Sequence, residues 1–417
     1  MPFLSERVFD ANMQDIYRPH LQWIAQQTDE ARDQLIRLAN INSGSLHASG
    51  VRRMAEAVRD LFAPLQADAE IIDVPPFQAT AGDGQLRNAE LGPALRLRHR
   101  PEAPLQVFLG GHLDTVFPKE SSFQQVRQSA EDELHGPGVA DLKGGILVAY
   151  NALRALERSP WADQIGWQVV LNPDEEIGSA SSMPILLESA AQCHLGLVYE
   201  PSFPDGNLAG ARKGSGNFDV IVRGRAAHAG REHHLGRNAI RACADFISAL
   251  DALNGQRDGV TINPGFVRGG GALNVVPELC ITKFNVRTSR AEDEAWMQAE
   301  LDRLLAEVRS RDGIELELRG GFTRPPKPAN DAIRKLSTMI QDCGGDLGLQ
   351  LEFQPTGGCC DGNNLAAAGL PNIDNLGVVG GAIHSDKEYM RISSLAERAQ
   401  LSALLLMRLA SGEWAWH

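Results

Sequence analysis

The class of fold follows from the segment Gln106-Val107-Phe108-Leu109-Gly110-Gly111-His112-Leu113-Asp114-Thr115-Val116. Its first five residues form a short apolar run bounded by glycine, which is typical of a buried strand. His112 and Asp114 follow directly. Open α/β sheets place their ligands beyond the carboxyl ends of their strands, so this pair is a candidate functional site. Taken alone, the pair also fits a solvated loop.

Similar apolar runs alternate with helical patterns around this segment. Val51, Met54, Val58, Leu61 and Leu65, for example, fall on one face of a helix. The alternation predicts an α/β fold with a mostly parallel sheet covered by helices on both faces. The predicted strands are 69–74, 95–97, 106–110, 167–171 and 194–199, and the predicted helices are 30–38, 51–65, 144–156 and 183–189.

The pattern changes near residue 212 and changes back near residue 324. Strands at 217–222, 260–266, 279–286 and 314–318 and helices at 237–253 and 291–308 give the order β-α-β-β-α-β, which is typical of a ferredoxin-like unit. After Pro325-Pro326 the α/β pattern resumes with a helix at 331–341, a strand at 349–353 and a helical tail at 392–409. We therefore expect one catalytic domain in two parts, 1–211 and 324–417, interrupted by an inserted domain at 212–323.

Composition excludes several classes of protein. The chain has 417 residues, of which 43% are hydrophobic and 22% charged, as in ordinary globular proteins of two or three domains. Its 53 acidic and 40 basic residues give a net charge of −13, which argues against binding to nucleic acid or to an anionic membrane. No apolar run approaches the roughly 20 residues of a membrane-spanning helix.

The N-terminus and the cysteines give information about the subcellular location of the protein. Met1–Arg7 lacks a basic region followed by an apolar run, so no secretory signal is expected. The six cysteines are dispersed, none forms a Cys-x-x-Cys motif, and Cys359 and Cys360 are neighbours. Reduced thiols in the cytoplasm are the simplest interpretation.

Four further polar groups follow or adjoin predicted strands in the same way as His112 and Asp114. They are Asp141 before the helix at 144–156, Asp174-Glu175-Glu176 after the strand at 167–171, Glu200 after the strand at 194–199, and His384 on a glycine-rich loop. Each has a simpler explanation, such as a helix cap for Asp141 or a surface turn for the three acids. The glycines at 136–145 could suggest a phosphate cradle, but no Gly-Lys-Ser/Thr closes the run.

Together these groups indicate a metal centre. Two histidines and three or four carboxylates suit Zn²⁺ or another borderline divalent ion. They suffice for two ions about 3.5–4 Å apart that share one bridging carboxylate. The adjacent glutamates Glu175 and Glu176 could have different roles, one as a metal ligand and the other as a proton carrier.

Three motifs in this order resemble those of the zinc exopeptidases and deacylases of peptidase family M20. The motifs are Gly111–Pro118, Gly138–Gly145 and Asp174–Ser179. The family includes bacterial glutamate carboxypeptidase, which this chain resembles most in appearance, as well as acetylornithine deacetylase, succinyl-diaminopimelate desuccinylase and aminoacylase. The resemblance extends over nearly the whole chain, including the inserted domain.

The resemblance implies a role for each candidate position. It implies two Zn²⁺ per chain, with Co²⁺ or Mn²⁺ as possible substitutes, held by His112, Glu200, Glu176, His384 and a bridging Asp141. The Asp141–Leu142 peptide is often cis in the family. Asp114 would orient His112, and Glu175 would be the general base and acid.

The inserted domain resembles the family's lid or dimerisation domain. The resemblance implies that His228 steadies the oxyanion, often across the dimer interface, so a homodimer is expected. It implies a substrate-binding role for Asn274, Arg287, Arg324 and Gly358, the two arginines lying near the substrate carboxylate. One stretch departs from the family: Gly357-Gly358-Cys359-Cys360-Asp361 stands where relatives often have Gly-Gly-Thr/Ser-Asp. A cysteine in place of that hydroxyl would weaken a hydrogen bond to substrate.

The expected activity is hydrolysis of an amide bond in a small molecule that has a free carboxylate. A carboxypeptidase that releases a C-terminal, glutamate-like residue is favoured, because the element Arg324-Pro325-Pro326 and the spacing of the metal motifs look closest to that branch. An N-acyl-amino-acid deacylase breaks the same bond and is the alternative. Two further alternatives are a metal-binding dimer without catalysis and a cysteine nucleophile, although no separate histidine is left to pair with Cys360.

Overall fold

The computed structural model describes residues 15–416, so Met1–Arg7, on which the expectation about a secretory signal rests, lies outside them. The helices are α1 (Arg18–Gln26), α2 (Thr28–Ala39), α3 (Ala48–Phe62), α4 (Gly144–Glu157), α5 (Met183–Ala190), α6 (Ala239–Asp251), α7 (Ala291–Arg309), α8 (Asp331–Asp346), α9 (Asp361–Ala367) and α10 (Ser393–Ser411). Over the described range, no helix combines the length and the apolar character needed to cross a bilayer.

The strands fall into several sheets. They are β1 (Asp68–Ile72), β2 (Phe77–Thr80), β3 (Leu86–Ala89), β4 (Ala94–His99), β5 (Leu105–His112), β6 (Arg127–Ala130), β7 (Glu133–His135), β8 (Ile165–Asn172), β9 (Leu195–Val198), β10 (Leu208–Arg212), β11 (Gly214–Arg223), β12 (Thr261–Gly269), β13 (Leu279–Thr288), β14 (Glu315–Arg324), β15 (Phe353–Thr356), β16 (Asn372–Ile373), β17 (Gly380–Gly381) and β18 (Tyr389–Arg391).

The largest sheet of residues 15–416 carries the predicted site. Its strand order is β1-β4-β8-β5-β9-β16. The pairs β1/β4 and β4/β8 are antiparallel, whereas β8/β5, β5/β9 and β9/β16 are parallel. The expected mixed α/β class with a mostly parallel central sheet is therefore confirmed.

Helices cover both faces of this sheet because its central strands are apolar at successive positions. Val107 and Leu109 pack into the main core, which includes much of α4 and α10. Phe108, between them, points the other way and packs with Leu186 of α5 and Leu365 of α9. Adjacent residues of a strand face opposite sides of the sheet, so an unbroken apolar run requires cover on both sides.

Residues 214–324 form a second, antiparallel sheet of order β12-β13-β11-β14 with α6 and α7. This is the predicted β-α-β-β-α-β order. Phe218 and Phe284 stack at 5.0 Å, and Phe246 packs on Phe284, in a core separate from that of the large sheet. Strand β12 lies at an edge of this sheet. The exact boundaries of the inserted domain at 212 and 323 stay a prediction.

The sequence pattern misplaced or missed several strands. The strand predicted at 349–353 lies instead at β15, Phe353–Thr356, and pairs with β10. Strand β14 continues to Arg324, beyond the predicted end at residue 318, because its glycines keep pairing with β11. Strand β6 was missed because its four residues are all exposed and carry no apolar alternation.

Candidate metal centre and substrate cavity

Three parallel strands bring the predicted polar residues to one edge of the large sheet. His112 is the last residue of β5 and lies beside Asn172, the last residue of β8. Gly110 of β5 lies beside Val198, the last residue of β9, two residues before Glu200. Because these strands run in the same direction, the loops that follow them must meet.

Asp141 reaches the same edge from the segment that leads into α4. The Glu388 carboxylate accepts backbone N–H bonds from Gly138, Ala140 and Asp141 at 2.9, 2.9 and 3.0 Å, which fixes this segment. The Asp141–Leu142 peptide bond is cis. Gly145 permits the close approach, since a Cβ there would collide with the Tyr199 carbonyl.

The five predicted ligand positions form two clusters that share Asp141. The first contains His112, Asp141 and Glu200, and the second contains Asp141, Glu176 and His384; within each, the ligand atoms lie within 4.8 Å of one another. His112 Nε2 is 3.1 Å from Asp141 Oδ1, and His384 Nε2 is 3.2 Å from Asp141 Oδ2. His384 Nε2 is also 3.1 Å from Glu176 Oε2.

Burial and neighbouring charges shift the pKa values of these groups. Burial raises the pKa of Glu200, and it raises that of Glu176 to about 7 with the help of the nearby Asp141 charge. Burial would also raise the pKa of Asp141, but hydrogen bonds from His112 and His384 outweigh it and lower that pKa. Bonds to Asp141 and Glu176 raise the pKa of His384 to about 10. Such a group of buried carboxylates calls for cationic partners.

Asp114 organises the backbone around His112. His112 Nδ1 lies 3.0 Å from the Asp114 carbonyl and 3.4 Å from the Asp114 carboxylate. That carboxylate accepts bonds from the backbone N–H groups of Glu175 and Glu176, both at 3.2 Å, and from Ser45 Oγ at 2.7 Å. One buried carboxylate thus connects the loop after β5 with the loop after β8.

Glu175 is paired with Arg324. The Arg324 guanidinium forms an ion pair with Glu175 Oε1 at 2.6 Å and donates a hydrogen bond to the Glu175 carbonyl at 2.8 Å. It also donates to Ser179 Oγ at 3.2 Å. Burial raises the pKa of Glu175 well above its usual range, although the Arg324 charge opposes this. The pair places a buried carboxyl beside a buried cation.

A cavity of about 570 Å³ opens beside these residues. Glu175, Arg324, Arg287 and Gly358 all line it, as do the metal-ligand candidates Asp141, Glu176, Glu200 and His384. Arg287 donates to Asn285 Oδ1 at 2.8 Å and contacts Cys359 Sγ at 2.8 Å. The cavity is therefore lined by both carboxylates and guanidinium groups.

The two cysteines of the divergent motif also line this cavity. Cys360 is buried, and burial raises the pKa of its thiol well above the usual range. A protonated thiol is a poor nucleophile, which argues against cysteine catalysis. Cys359 is partly exposed beside Arg287.

His228 and Asn274 do not reach this cavity. Both are exposed on the inserted domain, and neither is among the residues that line the cavity. They are neighbours, because the Ala229 N–H donates to the Asn274 carbonyl at 2.8 Å and His228 bridges to Val275. His228 Nδ1 accepts the N–H groups of Gly230 and Arg231, each at 3.2 Å, so its proton is carried on Nε2.

Sequence reasoning missed three residues that shape the site. They are Glu388, which holds the Asp141 segment, Ser45, which binds Asp114, and Arg212, which donates to the Gly358 carbonyl at 3.2 Å and lies 2.8 Å from Asp374. Arg212 and Ser45 are far from their partners in the chain. Glu388 lies four residues after His384, but an acid in a polar loop gives no distinctive signal.

Comparison with known proteins gives consistent matches. Residues 108–408 match the model of peptidase family M20/M25/M40. Carboxypeptidase G2 of Pseudomonas sp. (strain RS-16) is 30% identical over 314 residues, covering 74% of each chain. Succinyl-diaminopimelate desuccinylase of Bordetella bronchiseptica is 29% identical over 316 residues, covering 70% of this chain and 80% of that one.

A solved structure is also similar in fold. An M20 family metallo-carboxypeptidase from Sulfolobus solfataricus has a TM-score of 0.71 at 16% identity, and the match covers 91% of this chain and 98% of that one. At that identity the likeness supports the fold alone.

Proposed function

The chain belongs to peptidase family M20/M25/M40 and is a metal-dependent amide hydrolase, and from this premise we propose that it is a two-zinc carboxypeptidase releasing a C-terminal, glutamate-like residue. The observation that carries the proposal is the pair of ligand clusters sharing Asp141, directly beside the Glu175–Arg324 pair and the arginine-lined cavity.

The donor set fits two divalent ions. His112 and Glu200 would hold one ion, Glu176 and His384 the other, and Asp141 both. Glu200 Oε1 is buried and has no hydrogen-bond partner among residues 15–416, as expected for an oxygen that coordinates a cation. Two imidazoles and three carboxylates are typical zinc ligands. When bound, the ions would polarise the amide carbonyl and lower the pKa of a water between them.

Glu175 is the proposed proton carrier. It lines the cavity beside both clusters, where it would take a proton from the attacking water and later give it to the leaving amine. Arg324 holds Glu175 in place through an ion pair with its carboxylate and a hydrogen bond to its backbone carbonyl. The proposed part of Arg324 is therefore to position Glu175, in addition to any contact with the substrate carboxylate.

Arg287 is the better placed group for the substrate carboxylate. It lines the cavity and has one polar contact to the neighbouring Asn285 and one to the Cys359 thiol. A guanidinium can grip both oxygens of a carboxylate. Gly358, held through its carbonyl by Arg212, forms the adjoining wall.

His228 and Asn274 are proposed to act in the cavity of a partner subunit. The Nε2–H of His228 is directed away from its own loop contacts and is available to steady an oxyanion. Exposed apolar side chains lie on or beside the edge strand β12: Phe266, Val267, Leu273 and Val275. An unpaired strand edge with exposed apolar residues favours association with a second copy.

We place the protein in the cytoplasm. All six cysteines lie within residues 15–416 and are free thiols, and none is paired in a disulfide. Free, dispersed cysteines support a reducing compartment.

The test is hydrolysis of a matched pair of substrates by metal-loaded protein, with and without a chelator. An N-acyl-glutamate that is cleaved faster than an N-acetyl amino acid with a different side chain, in a chelator-sensitive reaction, supports the carboxypeptidase. Faster deacetylation of the second substrate would move the protein to the deacylase branch, which the 29% identity to a desuccinylase also allows. A metal content of one ion per chain at full activity would contradict the two-zinc centre.

A further inference from the structure

The Cys359 thiol contacts two of the guanidinium groups that line the cavity. Arg287 Nη1 donates to Cys359 Sγ at 2.8 Å, and Arg324 Nη1 lies 3.9 Å from the same sulfur. All three residues line the cavity. Two guanidinium groups repel each other, and a sulfur atom that accepts from both offsets part of that repulsion. The thiol is therefore part of the cationic region of the cavity.

The contact involves one of the two Arg287 nitrogens that remain for a carboxylate. Arg287 Nε donates to Asn285 Oδ1 at 2.8 Å, so a bidentate grip on a carboxylate uses Nη1 and Nη2. Nη1 is the atom that donates to Cys359 Sγ. In the proposed complex the thiol is therefore the immediate neighbour of the substrate carboxylate.

Hydrogen bonds fix the backbone on both sides of Cys359. Before it, the Gly358 carbonyl accepts from Arg212 Nη1 at 3.2 Å. After it, the Cys360 N–H donates to Asn363 Oδ1 at 3.2 Å. The fold of this segment thus determines that the thiol stands beside the guanidinium groups.

Cys359 is also distinguished from the other cysteines by its accessibility. Of the six cysteines, all of which lie within residues 15–416, two are partly exposed: Cys193 and Cys359. Burial raises the pKa of Cys193 to about 12, so that this thiol stays protonated and reacts slowly near pH 7. Cys193 does not line the cavity, which makes it the matched control.

We propose that Cys359 is a positioning residue that holds Arg287 ready for the substrate carboxylate, and that a group attached to its sulfur blocks carboxylate binding. The inference rests on the proposed function, in which Arg287 receives that carboxylate. The thiol takes no part in breaking the amide bond. A suitable electrophile is iodoacetate: the sulfur bonds to its CH₂ carbon, the carbon–iodine bond breaks, iodide leaves and the thiol proton goes to solvent.

The first experiment measures steady-state hydrolysis of an N-acyl-glutamate by cysteine variants. Cys359→Ala should raise KM about tenfold, because a charge-assisted contact is lost, and should change kcat by less than about twofold. Cys359→Ser should restore most of the KM, because a hydroxyl also accepts a hydrogen bond. The control Cys193→Ser should keep the wild-type values. An unchanged KM in Cys359→Ala, or a loss confined to kcat, overturns the positioning role.

The second experiment follows thiol labelling by mass spectrometry and requires no turnover. Iodoacetate is an anion and iodoacetamide is neutral, so guanidinium groups favour iodoacetate. The ratio of the two labelling rates at Cys359 should fall about fivefold or more in Arg287→Gln, while the ratio at Cys193 stays the same. Free glutamate should slow the labelling of Cys359 in the wild type and leave Cys193 unaffected.

The outcomes separate this inference from the proposed function. Hydrolysis of the N-acyl-glutamate, with a labelling ratio at Cys359 that Arg287→Gln does not change, overturns the inference and leaves the carboxypeptidase standing. Labelling of Cys359 that glutamate does not slow overturns the inference in the same way. No hydrolysis of the N-acyl-glutamate overturns the proposed function, and the fall of the labelling ratio in Arg287→Gln then supports the thiol contact on its own.

Discussion

The two groups of candidate site residues differ sharply in their surroundings. On the large sheet, His112 is 1% exposed and Asp141 is 7% exposed, and each has polar partners within the chain. On the inserted domain, His228 and Asn274 are exposed, and the adjoining Leu273 is 101% exposed. We call the first the preassembled group, because a single chain brings its residues together. We call the second the displayed group, because its residues lie on a surface.

This difference shows which part of a site a single folded chain can form on its own. Parallel strands bring their carboxyl ends together, so a buried cluster of ligands follows from the sheet itself. A surface loop has no such constraint, and its polar groups need a second surface before they can exclude water from a reacting bond. Variants in the two regions should therefore behave differently.

The largest expected effect is that of Glu175→Ala, in the preassembled group. It should lower kcat by about 10²–10⁴, because the proton carrier is lost, while the metal content per chain stays unchanged. Metal analysis and steady-state kinetics on the same sample measure both. Glu188→Ala, which removes an exposed glutamate, is the matched control. Full activity of Glu175→Ala would exclude the proposed role.

The next effect is that of His228→Ala, in the displayed group. It should lower kcat by about 10²–10³, as for the loss of one oxyanion donor. When it is dissociated and re-mixed in equal amounts with Glu175→Ala, activity should recover to about a quarter of wild type, because half of the dimers are mixed and each has one intact site. No recovery on mixing would show that both residues serve the same chain's cavity.

Asp114→Asn should have a moderate effect on metal binding. The amide keeps the shape but loses the charge and the acceptor for one of the two backbone N–H groups that Asp114 receives. We expect the affinity for at least one ion to fall about 10- to 100-fold, as is usual for the partner of a metal-binding histidine. Titration against a competing chelator gives the value, and Asp73→Asn at an exposed ion pair provides the comparison. An unchanged affinity would mean that Asp114 serves the backbone only.

Val267→Asp should act on association and leave the fold of each chain intact. Val267 is 62% exposed on the edge strand β12, so a charge there costs the single chain little. Buried between two copies, an unpaired carboxylate should weaken the dimer on the order of a hundredfold. Sedimentation and thermal unfolding separate the two effects. A dimer of wild-type strength would place the interface elsewhere.

The sequence predicted most of the preassembled group because its residues follow apolar runs. His112 is the last residue of β5. The other members of this set follow closely after the ends of β5, β8 and β9, and a strand can be recognised from its local pattern: Asp114, Glu175, Glu176 and Glu200. The covered faces of the sheet were predicted for the same reason. Exposed or short strands such as β6 and β17 were not predicted. Backbone pairing with a neighbouring strand stabilises them, so their side chains show no alternation of apolar and polar residues.

Glu388 and Arg212 show which contacts a local sequence pattern cannot predict. Each binds a residue that is distant in the chain: Glu388 binds Asp141, and Arg212 binds Gly358. Spacing along a sequence carries no information about such contacts. Their roles became visible only from distances between folded segments.

By itself the sequence determined the class of fold, the order of elements in the inserted domain and the residues able to bind metal. These follow from hydrophobic period and from the chemistry of side chains at strand ends, both of which are local properties. Only the tertiary structure decided that Arg324 pairs with Glu175 and that His228 lies outside the cavity of its own chain. The physical reason is that contacts across the molecule depend on how sheets, helices and loops pack, and packing sums interactions over the whole chain.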